Sequence, residues 1–396
     1  EIVSASATNF PLAYRSRLEI YTAELQHFWD WGDHRTILGG RYQTGEFDTH
    51  NATPTQRLTR LIKLSPTDDR FETDFERVSL YAYHHWQPVD RLRLIGGLSY
   101  DQVRYPENFR HPPIDDAQAS TKRLSPKAGL IWSPASNTTL RAAYTRSLGG
   151  VSIDQSFQLE PPHVAGFAQT FRSLIPDSAA GAVPAARHET FGLALDQKFP
   201  TRTYLGISGE WLESEGTRQR GVFRIPPSFP LIGAPSVTPE SLNFRERTVQ
   251  VNLNQLVGEE WAFGASYRVS LAELDDAFRE VPMTDLIFGG FTPRTKLEAT
   301  LHQVHLLASW ASPSGFFARF DSIFSAQHNR KDAAALVDDA FWQFNVFAGY
   351  RFLRRRMEVT AGLLNLTDRD YRLNPLNLTP ELPRKRTVAL RIRLTF

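Results

Sequence analysis

Residues 363–396 read LLNLTDRDYRLNPLNLTPELPRKRTVALRIRLTF and end on an aromatic side chain. From Thr387 onward, Val388, Leu390, Ile392, Leu394 and Phe396 alternate with Thr387, Ala389, Arg391, Arg393 and Thr395. A period of two is that of a strand, because successive side chains leave opposite faces. One face of this strand is wholly apolar and the other carries two arginines. A strand split in this way needs hydrocarbon on one side and water on the other, which a transmembrane β-barrel supplies.

Working outward, the same alternation recurs along the chain. Val78, Leu80, Ala82, His84 and Trp86 stand against Arg77, Ser79, Tyr81, Tyr83 and His85. Leu92, Leu94, Gly96, Leu98 and Tyr100 share a face. Phe263, Ala265, Tyr267, Val269 and Leu271 oppose Ser266, Arg268 and Ser270, and Phe316, Ala318, Phe320 and Phe324 oppose Arg319 and Asp321. Trp342 to Phe352 follows the same rule, with Gln343, Asn345 and Arg351 on the wet side. Trp86, Trp132, Trp310 and Trp342 fall near strand ends, where interfacial girdles sit.

Connections alternate between short and long. Short ones fall near residues 31–33, 87–90, 133–137, 200–202, 257–260, 312–315 and 353–356. Long ones span residues 48–72, 104–122, 148–187, 214–241, 275–295, 328–340 and 368–383. Tight periplasmic turns and extended external loops are the pattern of an up-and-down outer-membrane barrel, here of about 16 strands. That count includes a weak first strand at residues 2–10, which places both ends on the periplasmic side. Residues 17–28 are the least clear strand, and a bulge is expected there.

Composition sets outer bounds. Over 396 residues, 45 basic groups balance 43 acidic ones, which leaves no electrostatic footprint for nucleic acid. No stretch approaches the roughly 18 apolar residues of a membrane helix, and none is needed when alternate residues face lipid. The absence of cysteine excludes disulfides and thiolate metal sites. Among the 11 histidines there is no HExxH, and no P-loop or G-x-S-x-G pattern occurs. No enzyme activity and no cofactor are therefore expected.

The closing segment, NLTDRDYRLNP followed by PRKRTVALRIRLTF, resembles that of TonB-dependent outer-membrane receptors. SPKAGLIWSPASNTTLRAAYTRSL, residues 125–148, resembles an internal hairpin of the same barrels. That resemblance implies a transmembrane importer with an N-terminal plug, but the family has about 22 strands, more than are counted here. TRSLGGVSIDQSFQLEPPHVAGFAQTFRSLIPDSAAGAV and ETFGLALDQKFPTRTYLGISGEWL are similar to envelope proteins in which periplasmic tetratricopeptide repeats precede a C-terminal barrel. This second likeness implies an export conduit or an anchor. The chain is expected to be one barrel over residues 1–396, with any plug or repeat domain lying outside it.

Candidate sites follow from this frame. In the longest loop, 148–187, Val164, Phe167, Phe171 and Leu174 recur at helical spacing after Pro161-Pro162, with Arg172 on the flank. The expectation is a short amphipathic helix that either folds into the lumen as a gate or caps the rim. Lumen-lining candidates are Arg77, Tyr81, Tyr83, Arg268, Arg319, Asp321, Arg351, Arg391 and Arg393. Their mixed charge suits a polar solute or a polysaccharide, with the tyrosines as stacking surfaces. Asp68-Asp69, Asp115-Asp116, Asp275-Asp276 and Asp338-Asp339 fall in expected external loops. They are weak candidates for Ca²⁺ or Mg²⁺, or for bridging lipopolysaccharide phosphates through such ions. Solvated loop charge is the plainer reading. Arg351, Arg354, Arg355 and Arg356 crowd one periplasmic turn, facing anionic lipid or a partner domain.

The expected function is an outer-membrane channel or transporter for a polar solute or polymer, gated by the 148–187 loop. A TonB-dependent-receptor-like importer and a non-conducting anchor are the alternatives.

Overall fold

The computed structural model describes residues 10–149, 158–169, 183–226, 229–281, 291–330, 338–352, 356–370 and 385–395. Nineteen strands occur among these residues, and no helix. Removing the two-residue β3 (Gln56–Arg57), β9 (His163–Val164) and β10 (Phe167–Ala168) and the three-residue β4 (Ile62–Leu64) leaves fifteen long wall strands. The first six are β1 (Ala13–Trp31), β2 (His34–Thr53), β5 (Thr67–Val89), β6 (Leu92–Pro106), β7 (Gln118–Ala135) and β8 (Thr138–Leu148). The next five are β11 (Arg187–Lys198), β12 (Thr203–Arg224), β13 (Leu231–Val257), β14 (Trp261–Ala277) and β15 (Arg294–Ala311). The last four are β16 (Phe316–Arg330), β17 (Asp339–Phe352), β18 (Met357–Leu364) and β19 (Thr387–Leu394).

Each wall strand pairs antiparallel with the next, from β1 through to β19. This is the up-and-down all-β barrel architecture read from the sequence. The weak first strand at 2–10 lies, except for Phe10, outside the described residues.

Register assigns the two faces. Because side chains alternate, one outward residue per ladder fixes the rest. Leu38, Ala82 and Leu98 lie side by side on the outer wall, as do Leu253 with Ala265 and Leu306. Large apolar groups remain exposed there, Leu80 at 56%, Leu98 at 44% and Val249 at 51%. The sequence neighbours Ser79 of Leu80 and Ser99 of Leu98 are buried on the inside. Exposed greasy rows on one face and buried polar rows on the other are the inverse of a soluble domain, and they fit a wall in lipid.

Aromatic bands bound this belt. At the end with the two-residue β1–β2 turn, Trp31 stacks on His34 at 5.5 Å and His34 on Trp86 at 6.0 Å, and Trp261 lies 6.4 Å from Trp310. At the opposite end, Arg247 sits 4.6 Å over the Trp211 ring, and Phe324 packs on Trp342 at 5.1 Å.

Two details differ from the sequence reading. The β1–β2 ladder runs without a break from Ala13↔Ala52 to Trp31↔His34, so β1 has no bulge. Its pattern is blurred because Leu18 and Ile20, on the inner face, pack on an apolar cluster, so both faces look apolar. Bulges occur instead at Trp86/Val89 and Trp132/Ala135, both beside periplasmic turns. The Pro-rich stretch 214–241 is also not a long loop. β12 and β13 run through it as a projecting hairpin, leaving six residues between them. Pro235 and Pro239 are tolerated because β13 pairs with β14 only from Ser241 onward and with β4 only over Leu231 to Gly233, so between these ladders its second edge is free.

A lumen filled from the external side

The strands are longer than a bilayer requires. A tilted membrane strand needs about 9–11 residues, so the 22 residues of β12 and the 27 of β13 project well past the outer aromatic band. In this external half, apolar clusters sit among the buried polar side chains of the inward rows. Phe47, Phe75, Val103, Phe109 and Leu148 form one buried cluster on the β2–β6 side. Leu212, Leu242, Phe244, Ala272, Leu274, Leu297 and Ala299 form another on β12–β15, closed over by Val183 and Ala186 at the end of the 148–187 loop. Phe47, Phe75 and Phe244 are each 1% exposed, so these two clusters are dry, while a polar-lined cavity of about 690 Å³ lies against Leu148, Phe244, Leu274 and Leu297.

Lower down the lumen is polar and its charges are paired. Arg141 meets Asp196 at 2.8 Å, Arg319 meets Asp321 at 2.9 Å, and His305 reaches the same aspartate at 3.0 Å. Arg351 and Arg391 share Glu358, at 2.8 and 2.9 Å. Arg268 donates to Gln250 from two nitrogens, at 2.9 and 2.6 Å. All nine lumen candidates are thus on the inward face, Arg393 by its register opposite Glu358.

Between these halves lies the segment 158–169 of the long loop. Val164 and Phe167 are buried with Ile37, Tyr81, Tyr83, Ile95, Ala143 and Ala194, side chains of five wall strands. They are not on a helix. Ala165 (φ 48°) and Gly166 (φ 89°) both take positive φ, which makes His163 to Ala168 a tight two-stranded hairpin. The spacing of three between Val164 and Phe167 therefore reflects a two-residue hairpin turn and not a helical face. Phe171, Arg172 and Leu174 lie outside the described residues. The hairpin fits because the wall is cut away where it lands: a side chain at Gly129 would press on Val164, and one at Gly192 would overlap Phe167.

Polar groups fix the segment in place. Glu160 lies 2.6 Å from the Tyr83 hydroxyl, which donates to it, and 3.6 Å from the Lys127 ammonium. The backbone N–H groups of Leu159 and Glu160 donate to Glu24 at 2.8 and 3.1 Å. Arg41 donates to Gln158, Gln26 to the Leu159 carbonyl, and Ser147 to the Gln169 carbonyl. Beside them, Arg77 is buried against Asp101 at 2.8 Å. Arg41, Arg77 and Lys127 balance Glu24, Asp101 and Glu160, so this desolvated network carries no net charge. Glu24, Asp101 and Glu160 were not singled out in the sequence. Tyr81 and Tyr83 were, but as stacking surfaces, whereas here their hydroxyls are engaged with Glu24 and Glu160.

The acidic pairs do not converge. Asp68-Asp69 and Asp275-Asp276 lie within strands, where neighbouring side chains take opposite faces. Asp68 meets His50, Asp275 meets Arg294 at 2.6 Å, Asp338 accepts from the Asn329 N–H, and Asp339 meets Arg369. Asp115 accepts from the Ala117 N–H, and Asp116 follows it in the same loop. Among the described residues, no group of three or more His, Cys, Asp or Glu is placed to hold a metal ion. Of the basic turn, Arg351 turns into the lumen, while Arg354 and Arg355 lie outside the described residues.

Residues 3–182 match the family model described as TonB dependent receptor-like, beta-barrel. Solved structures with this fold include the copper transporter OprC (15% identity, TM-score 0.59), covering 98% of this chain and 57% of that one. The FrpB iron transporter from Neisseria meningitidis is 14% identical with TM-score 0.55, covering 95% and 56%. The ferric-catecholate import receptor Fiu from K12 E. coli is 13% identical with TM-score 0.52, covering 97% and 55%. The chain therefore spans a little over half the length of the solved structures it resembles. No curated protein sequence matches it. The fold is that of a TonB-dependent-receptor-like outer-membrane barrel.

Proposed function

We propose that this barrel is an outer-membrane passage for a polar solute or polymer, closed at rest by its own loop. The observation that carries the reading is the lodging of segment 158–169 across five wall strands, tied down by Glu160, Tyr83, Lys127 and Glu24. A loop that only capped the rim would have no reason to bury its carboxylate deep in the lumen. Burying Lys127 and Glu160 costs several kcal/mol of desolvation, recovered only while the two remain together. The latch is thus stable closed and can part when water or a ligand solvates both charges.

Below the latch, the wall offers Gln250, Asn252, Asn254, Arg268, Gln303, Gln343 and Asn345, side chains that exchange hydrogen bonds with hydroxyls or water. This supports a polar or polyhydroxylated cargo. Loop closure from within supplies what a separate plug supplies in an importer of the TonB-dependent type. A plug or periplasmic repeat domain elsewhere in a longer polypeptide would decide direction. The transporter names of the structural relatives favour passage over anchoring.

Planar-bilayer recording tests the reading. The native barrel should be nearly silent, and deletion of residues 166–182 should give discrete open steps. Silence in both, with folding intact, overturns passage and favours a non-conducting anchor.

A further inference from the structure

Three other external segments meet on the β12–β13 hairpin. From the β2–β5 side, β4 crosses to pair with the tip of β13 in parallel, Ile62↔Leu231, Lys63↔Ile232 and Leu64↔Gly233. The Ser65 N–H donates to the Gly233 carbonyl at 2.9 Å, and Leu64 is 2% exposed. Along the meander, β5 and β13 are separated by β6, β7, β8, β11 and β12, so this contact joins distant parts of the wall. From the β6–β7 side, the Gly221 N–H donates to the His111 carbonyl at 2.8 Å. A side chain at Gly221 would overlap Pro113 and the His111 carbonyl, so the loop lies directly on the hairpin backbone. From the start of β1, Phe10 meets Phe223 edge-on at 5.7 Å, and Tyr14 donates to the Phe109 carbonyl of that same β6–β7 loop.

At its base the hairpin is stapled by buried charge. Arg218 and Arg220 converge on Glu240, which is fully buried, at 2.5 and 3.1 Å. Asp276 on the adjoining β14 is 7% exposed. From this charged base the arm projects beyond the belt and carries docking points from three other segments.

We propose that the β12–β13 arm is an external lid, a second closure in series with the inner latch, held shut by β4 and by the 107–117 loop. Three backbone-matched strand positions and one loop hydrogen bond are enough to hold the arm and few enough to release without disturbing the wall ladders. The inference deepens the passage reading by locating its outer door, yet it concerns only access to the lumen above residues 158–169.

Solvent access above the latch is the measurement. The chain has no cysteine, so Thr49→Cys, on the inner wall of β2 and 2% exposed, gives a single reporter thiol. Intact cells are treated with a membrane-impermeant maleimide. Labelling should be slow with the native arm and at least tenfold faster when Gly221→Val displaces the 107–117 loop, or when Leu64→Asp unpairs β4. Two variants guard against one failing to assemble, and heat-resistant migration of the folded barrel reports assembly. Equal labelling in assembled native, Gly221→Val and Leu64→Asp proteins overturns the lid. Fast labelling of the native protein overturns it too. Since no solute has to cross, a lid can stand or fall independently of conductance.

Discussion

The Lys127 ammonium on β7 faces the Glu160 carboxylate of the inserted loop at 3.6 Å, with side-chain exposures of 1% and 15%. A pair so placed is worth less as a bond than as a condition: neither partner tolerates the loss of the other. Glu160→Ala should lower stability by about 3–5 kcal/mol, the usual cost of stranding a buried charge. Replacing both with apolar residues (Lys127→Met with Glu160→Leu) should recover most of it. Chemical denaturation of the four proteins in a double-mutant cycle measures the coupling. The single Glu160→Ala should also raise open-channel events, and purely additive effects would remove the latch from consideration.

Gly166 offers a gentler way to release the same segment. Its φ is 89°, and a Cβ there would collide with the Arg141 guanidinium. Gly166→Ala should cost about 1–3 kcal/mol locally. It should raise hydrogen exchange at residues 163–168 while leaving the β11–β12 ladder protected.

The dry external clusters make a claim about packing. Phe244→Ala should destabilise by about 3–5 kcal/mol, as for any fully buried aromatic. On the outer wall, Leu98→Arg should cost about 2–4 kcal/mol in a bilayer and much less in a loosely packed detergent micelle. Equilibrium unfolding in both media separates these. A Leu98→Arg penalty that did not depend on the medium would argue against lipid contact at that face.

The arm base should sense pH. Burial, and then the Glu240 carboxylate, push Asp276 up to about 7 from an ordinary 3.8. Burial also pushes Glu240 up, but Arg218 and Arg220 outweigh it and hold that carboxyl below its usual value. Between about pH 4 and 7 the folded Asp276 keeps a proton that the unfolded chain has lost, so its contribution to stability falls as pH rises through that window. His111, pushed down to about 4 by burial and then Arg218, acts oppositely: between about pH 4 and 6.5 the unfolded chain binds the extra proton, and stability rises with pH. Asp276→Asn removes only the first term, so its advantage over the native protein should grow from pH 4 to 7 and then level off. Denaturation across that range, with hydrogen exchange at 231–241, reads both the sign and the plateau.

The wall was legible because lipid and water impose a period of two on every strand that touches both. Leu98 and Ser99 could not be exchanged without moving a polar group into hydrocarbon. The contents of the barrel were harder to read, since no such rule governs a surface that faces protein. Phe47, Phe75 and Phe244 point inward, where alternation alone predicts water. Val164 and Phe167 sit at helical spacing because a hairpin turn of two residues also leaves them three apart. The Ala165-Gly166 turn was the one local signal for the alternative, and the Pro-rich 214–241 stretch reads as a loop unless one knows that Pro235 and Pro239 fall where the second edge of β13 carries no ladder. Lys127 and Glu160 are separated by 33 positions, and nothing in their neighbourhoods marks them as partners.

The hairpin at 163–168 rests on side chains from β2, β5, β6, β8 and β11 at once. Its berth does not exist until β11 has joined the sheet. During biogenesis it should stay open to a protease on any intermediate in which these five strands have not yet come together, and be sheltered once they have. The same few residues that would regulate traffic through the finished wall thus double as a stamp that this part of it has come together.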